Sequence, residues 1–130
     1  MSKVTIEIEL EQTPNVEEVQ EQIKFASNWN NKLNCESFTT IRLSNRFTIN
    51  GLFKVYYKDK FIGVAKVVDK KPFVVKNMSN AMCYVDTGYS KEETRKILDT
   101  MYEGKVTDDT LMYHITLKMV DRREYIKTTK

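Results

Sequence analysis

The sequence has few of the residues that metal and redox chemistry require. It contains one histidine, His114, and two cysteines, Cys35 and Cys83, with no CxxC or HExxH motif. Because a structural zinc site needs several such ligands at short spacing, no metal and no cofactor are predicted. The cysteines are typical of free thiols in a reducing compartment, with one disulfide as the alternative. His114 lies opposite the apolar side of its predicted strand, which indicates a surface or cleft-rim position.

Long apolar runs and glycine-rich loops are also absent. No run approaches the roughly eighteen apolar residues that a membrane-spanning helix needs. The N-terminus alternates polar and apolar residues and lacks the apolar block of a signal peptide, so a cytoplasmic protein without a membrane partner is expected. The four glycines stand singly and form no GxGxxG or Walker motif, so nucleoside triphosphate chemistry is not predicted.

What the sequence does contain is an uneven distribution of charge. Residues 1–33 carry a net charge of −3, residues 34–85 carry +6 and residues 86–130 are neutral, within a total of +3. The basic middle segment favours an anionic partner such as a phosphate backbone. A solvated, lysine-rich face of a sheet is the alternative, with equal weight.

A strand and a helix are predicted at the N-terminus. Residues 4–10 alternate as a half-buried strand. Behind a cap at Thr13 or Asn15, apolar residues at helical spacing predict a helix from residue 15 to the low thirties, with an acidic first turn. Residues 1–33 are thus expected to form an extension that packs on the remainder of a single domain spanning residues 1–130.

A second helix is predicted over residues 90–104. Ser90 and Glu93 form a capping box at its start, and Gly104 is a C-terminal stop signal. Its apolar stripe is expected to face the core. The stripe consists of Ile97, Leu98, Met101 and Tyr102.

The remaining segments alternate with period two or carry strand-forming residues, and they predict a sheet. Pro72 is expected to start a separate strand away from the centre of the sheet. The order of elements favours an α+β fold, a small and mostly antiparallel β-barrel over residues 34–120 with two flanking helices and a frayed tail over residues 121–130. Strands are predicted at residues 38–43, 52–58, 61–70, 72–76 and 111–120.

Basic and aromatic residues are interleaved in the middle strands. Lysine and arginine can neutralise phosphates, and exposed aromatic rings can stack on bases. Tyr56 lies between outward-facing lysines and is therefore the better stacking candidate. The candidate ligand-binding residues of this region are Arg42, Arg46, Lys54, Tyr56 and Lys58.

The stretch FTTIRLSNRFTINGLFKVYYKDKFIGVAKVVD, followed by GYSKEETRKILDTMYEG and MYHITL, resembles the ASCH family of the PUA-like superfamily. Thr40 and Arg42 match the T-x-R core of its first barrel strand, and Gly51 matches its hairpin glycine. The second helix and the last strand match the helix and closing strand of the family. The resemblance covers about residues 34–120 and implies a PUA-like barrel with a ligand cleft at its mouth.

The resemblance also implies an RNA or nucleoside ligand. Thr40 and Arg42 would contact a base or phosphate at the barrel mouth, with Tyr113 and His114 of the last strand as further binding candidates. The lysine-rich hairpin would steer the nucleic acid backbone. The favoured hypothesis is accordingly an RNA- or nucleoside-binding domain without catalysis.

Some small bacterial members of the family look like amidohydrolases that remove an acyl group from a modified cytidine. They use a threonine nucleophile, a lysine that activates it and a glutamate before the helix. Here the threonine is Thr40, but the lysine position is Ser37, and Asp86 lies beside the glutamate position, Thr87. Because a threonine hydroxyl is a poor nucleophile without a base, a divergent amidohydrolase using Thr40 and Asp86 is the alternative hypothesis.

Two further alternatives stay open. The acidic N-terminal helix suggests a protein–protein adaptor, and the composition, rich in Lys, Asn and Tyr, suits a gene from an AT-rich bacterium or a phage. In the plainest alternative, Arg42 lies on the outside of the barrel and pairs with a carboxylate such as Glu36. Neither the ligand nor the oligomeric state is predicted.

Overall fold

A computed structural model describes residues 15–127, and its central element is one curled sheet of five strands. The order of strands across the sheet is β1-β3-β4-β5-β2. β1 is parallel to β3, and the other neighbouring pairs are antiparallel. The strands are β1 (Gln22–Phe25), β2 (Ser37–Arg42), β3 (Leu52–Tyr57), β4 (Lys60–Val74) and β5 (Leu111–Arg122).

Two α-helices and three 3-10 segments complete the described chain. The helix α2 begins with the predicted capping box between Ser90 and Glu93, and Gly104 follows it with a φ of +78°. None of the helices in residues 15–127 is long and apolar enough to cross a membrane. The elements are α1 (Asn80–Asp86), α2 (Lys91–Met101) and the 3-10 segments Val16–Glu18, Trp29–Asn34 and Val75–Asn77.

The two faces of the sheet contribute to two different buried clusters. Its inner face carries Phe38, Phe53 and Ile115, which belong to one buried cluster. Its outer face carries Ile41 and Met112, which are buried against α1, α2 and the segments beside them in a second cluster. Because successive side chains of a strand alternate between faces, β2 contributes Phe38 to the inner cluster and Ile41 to the outer one.

Bulges give the sheet its curl. The register shifts once between β3 and β4 and twice between β4 and β5. Each bulge bends its strand and increases the local twist. The result is an α+β fold with a half-barrel, whereas the sequence pattern suggested a barrel. Within residues 15–127, β1 and β2 are edge strands and do not pair with each other.

Two arginines bridge the open edges of the half-barrel. Arg42 Nη2 donates to the carbonyl of Lys24 at 2.9 Å, and Arg46 Nη2 donates to the carbonyl of Gln22 at 2.7 Å. On the other side, the carbonyls of Glu21 and Phe25 accept from the backbone N–H groups of Lys54 in β3 and Lys58 just after it. The arginine seam, formed by Arg42 and Arg46, therefore supplies the donors that a sixth strand would otherwise provide.

The helix predicted from residue 15 to the low thirties is wrong. One turn is helical at Val16–Glu18, after which Val19, Ile23 and Phe25 are buried at alternating positions leading into β1. A spacing of four residues, as between Val19 and Ile23, fits a strand as well as a helix. The asparagines that follow favour tight turns, and Asn30 has a φ of +60°. The adaptor hypothesis loses its acidic helix over these residues, and the strand predicted at 4–10 lies outside the described residues.

The break predicted at Pro72 is also wrong. β4 runs continuously through this proline and pairs with β5 as far as Val74. β3, however, pairs with β4 only from Lys60 to Lys66. Among residues 15–127, Pro72 thus lies where β4 has a neighbour on one side only, so its missing N–H removes no ladder hydrogen bond on the open side.

Three smaller expectations are corrected. α1 was not predicted, because a seven-residue helix gives little periodicity. Met101, expected in the buried stripe of α2, is 52% exposed, whereas Leu98 is 3% exposed. The tail is ordered as far as residue 127, because Asn34 exchanges two hydrogen bonds with the backbone of Ile126, at 2.6 and 2.7 Å.

Candidate functional site

A cleft lies along the free edge of β2, between β1, the loop that follows β1, and the two α-helices. Its volume is about 110 Å³. This is smaller than the roughly 300–1,000 Å³ of typical ligand pockets, so it admits one ring-sized group. The residues that give the cleft its chemistry are Phe25, Trp29, Lys32, Thr40, Arg42 and Asp86.

On one side of the β2 backbone, a buried ion pair borders the cleft. Lys32 Nζ lies 3.1 Å from Asp86 Oδ1, and both side chains are 6% exposed. Thr39 Oγ1 donates to the same carboxylate oxygen at 2.9 Å. Thr39 faces outward from the sheet towards α1, which ends at Asp86. Asp86 Oδ1 thus accepts hydrogen bonds from both Lys32 and Thr39.

On the other side of the β2 backbone, Arg42 is held by three contacts. Its Nε donates to Thr40 Oγ1 at 2.9 Å, in addition to the bond from Nη2 to the carbonyl of Lys24. The guanidinium lies 4.7 Å from the centre of the Phe25 ring. Lys32 Nζ lies 5.5 Å from the centre of the same ring. The two cations therefore converge on one aromatic side chain.

The cleft has an excess of positive charge. Two cations, Lys32 and Arg42, share one buried carboxylate, Asp86. Burial lowers the pKa of Lys32; Asp86 opposes this effect, and the charge of Arg42 adds to it. Burial also lowers the pKa of Arg42, against the effects of Tyr102 and Asp86. A ligand that brings negative charge or acceptor oxygens into the cleft would relieve this strain.

The structure brings together three of the predicted site residues: Thr40, Arg42 and Asp86. The alternative position of Arg42, outside the barrel and paired with Glu36, is wrong, because Arg42 faces inward and its partners are Thr40 and Lys24. A hydroxyl, a guanidinium and a carboxylate thus border one cleft.

The two candidates on β5 lie beside the cleft, outside its lining. Tyr113 is the register partner of Arg42, and Lys70 Nζ lies 5.4 Å from the centre of its ring. His114 pairs with Ile41 on the outer face, where its Nε2 is buried without a hydrogen-bond partner among the described residues. Burial lowers the pKa of His114; Asp86 opposes this effect, and the charge of Lys32 adds to it. These facts favour a neutral imidazole that packs without contacting a ligand.

The other basic and aromatic candidates lie away from the cleft. Arg46 pairs with Glu21 at 3.0 Å and stacks on Phe47 at 4.3 Å. Lys58 lies in the tight turn between β3 and β4, with a φ of +49°. Lys54 and Tyr56 project from the outer face of β3. The ring of Tyr56 packs against that of Phe61, with centres 5.7 Å apart.

Sequence reasoning missed Lys32 and Trp29. The motif comparison placed the lysine position at Ser37, which is exposed on β2. Lys32 reaches the cleft from the 3-10 segment before β2, across 54 residues of sequence from Asp86. The signal was the asparagine-rich stretch NWNNKLN, which argues against a helix and for a loop that presents side chains.

No group of three or more histidine, cysteine, aspartate or glutamate side chains arranged to hold a metal ion occurs in residues 15–127. Cys35 is exposed, Cys83 is buried, and both are free thiols. The charged residues that line the cleft are two lysines, Lys24 and Lys32, with Arg42 and Asp86, beside the hydroxyl of Thr40.

No protein-family model matches the sequence, and no curated protein matches it. Among solved structures, the fold is similar to the crystal structure of protein EF3133 from Enterococcus faecalis V583, which is described with the family name DUF984. The TM-score is 0.53, and the match covers 72% of this chain and 70% of that chain at 8% sequence identity. A likeness at this identity shows a shared small α+β fold and nothing about the ligand.

Proposed function

We propose that the chain is an RNA- or nucleoside-binding domain of ASCH type that holds one base in the cleft at the edge of β2. The observation that carries the proposal is the convergence of Arg42 and Lys32 on the Phe25 ring beside Asp86. The resemblance of residues 34–120 to the ASCH family supports it. Binding without reaction is the preferred form, because among residues 15–127 Thr40 Oγ1 bonds to Arg42 and not to Lys32 or Asp86, so no base is hydrogen-bonded to it to take its proton.

The polar groups of the cleft suit the edge of a base. Arg42 and Lys32 offer donors to ring nitrogens and carbonyl oxygens. The Asp86 carboxylate can accept from an exocyclic amino group, as acidic side chains do from cytosine. Phe25 and Trp29 supply aromatic surface next to these groups. A pyrimidine with an amino group beside ring acceptors is the ligand class that uses all of them.

A fluorescence titration tests the proposal directly. Trp29 is the single tryptophan of the chain and lines the cleft, so a bound base should change its emission. We expect cytidine and short single-stranded RNA to give saturable changes in the wild-type protein. Arg42→Met should weaken binding by tenfold or more, because a hydrogen bond to a charged group contributes about 1.5–3 kcal/mol.

Arg46→Met is the matched control. Arg46 also donates to a backbone carbonyl of β1 and stacks on an aromatic ring, but it does not line the cleft. It should bind the probes as the wild type does. Equal loss of affinity in both variants would show that the seam, and not a ligand contact, is being measured. The absence of any response of the wild type to cytidine and RNA at low salt would refute the proposal.

The amidohydrolase is a second candidate because of one observation. Lys32 supplies the cleft lysine that the motif comparison found replaced by Ser37. Its lowered pKa increases the neutral fraction of the amine, which is the form that can take a proton from a hydroxyl. In this mechanism Thr40 Oγ1 attacks the acyl carbon while its proton passes to Lys32, and the C–N bond breaks as the amine leaves with that proton. Water then hydrolyses the ester on Thr40, which releases the acyl group as a carboxylic acid and returns the hydroxyl.

Turnover of acylated cytidines distinguishes the two candidates. If Thr40 is the nucleophile, Thr40→Ala should reduce the rate by at least a hundredfold, whereas Thr40→Ser should keep measurable activity. Release of free cytidine, followed by chromatography, is the readout. Equal rates for wild type and Thr40→Ala would remove Thr40 as the nucleophile and leave binding as the function of the cleft.

A further inference from the structure

Four lysines form a diagonal row on the part of the outer face that α1 and α2 leave uncovered. Lys66 of β4 and Lys118 of β5 are direct register partners. In β3, Leu52 is the register partner of Lys66, and Lys54 lies two residues after Leu52. In β1, Gln22 is the register partner of Lys54, and Lys24 lies two residues after Gln22. Direct partners lie about 5 Å apart and diagonal neighbours about 7–8 Å apart. We call Lys24, Lys54, Lys66 and Lys118 the lysine row.

The charges of this row are not compensated by the described residues. Like charges placed directly opposite on neighbouring strands destabilise a sheet, and Lys66 faces Lys118 in this way. None of the four lysines forms a salt bridge within residues 15–127. The carboxylate of Asp121 in β5 is already bound by Arg123 at 2.9 Å. An unfavourable arrangement of this kind is stabilised when an anion binds across it.

The row begins at the cleft. Lys24 lines the cleft and is the register partner of Tyr56. Tyr56 and Phe61 are half-exposed and pack against each other beside the row. From Lys24 the lysines cross β1, β3, β4 and β5 in turn. A chain of phosphates leaving the cleft would therefore meet positive charge at each strand, with aromatic rings alongside for stacking.

We propose that the lysine row holds the phosphate backbone of a single-stranded RNA whose terminal or flipped base occupies the cleft. This inference rests on the proposed function and narrows its ligand from a free nucleoside to a polynucleotide. Repeated phosphates fit the row better than an acidic peptide does, because the neighbouring aromatic pair offers stacking surface for bases.

The double variant Lys66→Gln/Lys118→Gln tests the row with the whole chain. Binding of a fluorescein-labelled single-stranded RNA 12-mer is followed by anisotropy between low and moderate salt. We expect about tenfold weaker binding at low salt and a decrease of about 1.4 in the slope of log K against log salt, for two lost phosphate contacts. The response of Trp29 to cytidine should stay unchanged, since neither lysine lines the cleft.

Lys96→Gln/Lys105→Gln is the control of equal charge change, because both lysines are exposed and lie outside the row. An equal loss of RNA affinity in the control would overturn the row in favour of unspecific charge. The proposal would also be overturned if Lys66→Gln/Lys118→Gln left RNA binding unchanged. The same holds if the wild-type protein bound polyglutamate as tightly as RNA. If cytidine fails to alter Trp29 emission while RNA binding depends on the lysine row, base binding in the cleft is refuted and backbone binding by the lysine row is supported.

Discussion

Replacing Lys32 by methionine is expected to lower the free energy of unfolding by about 3–5 kcal/mol. Lys32 is the cationic partner of Asp86, and both side chains are almost completely buried. Without Lys32, the carboxylate keeps only the hydroxyl of Thr39 among its present contacts and remains in a site of low polarity. Urea unfolding followed by circular dichroism measures the loss.

A double-mutant cycle separates the ion pair from the packing of the side chain. Adding Asp86→Asn to Lys32→Met removes the second charge and keeps an acceptor for Thr39. The double variant should therefore be more stable than Lys32→Met alone. Lys96→Met, at an exposed site on α2, should change stability by less than about 0.5 kcal/mol. A strictly additive cycle would show that Lys32 and Asp86 do not stabilise each other.

Phe53→Ala is expected to cost a similar amount, about 3–5 kcal/mol. Phe53 is 1% exposed, and its ring centre lies 4.9 Å from that of Phe47. The guanidinium of Arg46 lies over both rings, at 4.3 and 5.6 Å. The deletion therefore leaves a cavity in the inner core and removes part of the support for one arginine of the seam.

Phe61→Ala is the matched comparison for Phe53→Ala. Phe61 is in the facing strand of the same hairpin, but it is half-exposed on the outer face. Its removal should cost clearly less, because the lost contacts were partly hydrated and no closed cavity forms. Similar losses in the two variants, measured by the same urea titration, would contradict the assignment of the core to the inner face.

The middle of the fold could be predicted because local and long-range signals agree there. The strand-forming residues of β2, the alternation in β3 and the capping box of α2 each specify one structure over a few residues. The N-terminal third could not be predicted in the same way. Val19 and Ile23 fit two periods, and β1 exists because its parallel neighbour β3 supplies half of its hydrogen bonds. The residues in and around β1 do not indicate by their pattern that β3 will pair with it.

In the candidate site, too, residues of a local motif could be predicted and a residue brought in only by the fold could not. Thr40 and Arg42 belong to one short motif and were predicted together, with Asp86 following from the position before the helix. Lys32 could not be found, because it meets Asp86 only through the folded chain. A buried charge pair formed by an irregular segment has no periodicity of its own, and local spacing rules do not detect it.

The arginine seam also determines how easily the half-barrel can widen. A barrel closed by a strand opens only when several ladder hydrogen bonds break together, whereas in the part of the chain that the structure describes this edge is joined by the side-chain donors of Arg42 and Arg46. Arg42 can exchange the carbonyl of Lys24 for an oxygen of an incoming ligand with little net change in hydrogen bonding. In the proposed function, the hydrogen bond that Arg42 gives up when β1 and β2 separate is therefore replaced by the one that it forms with the ligand.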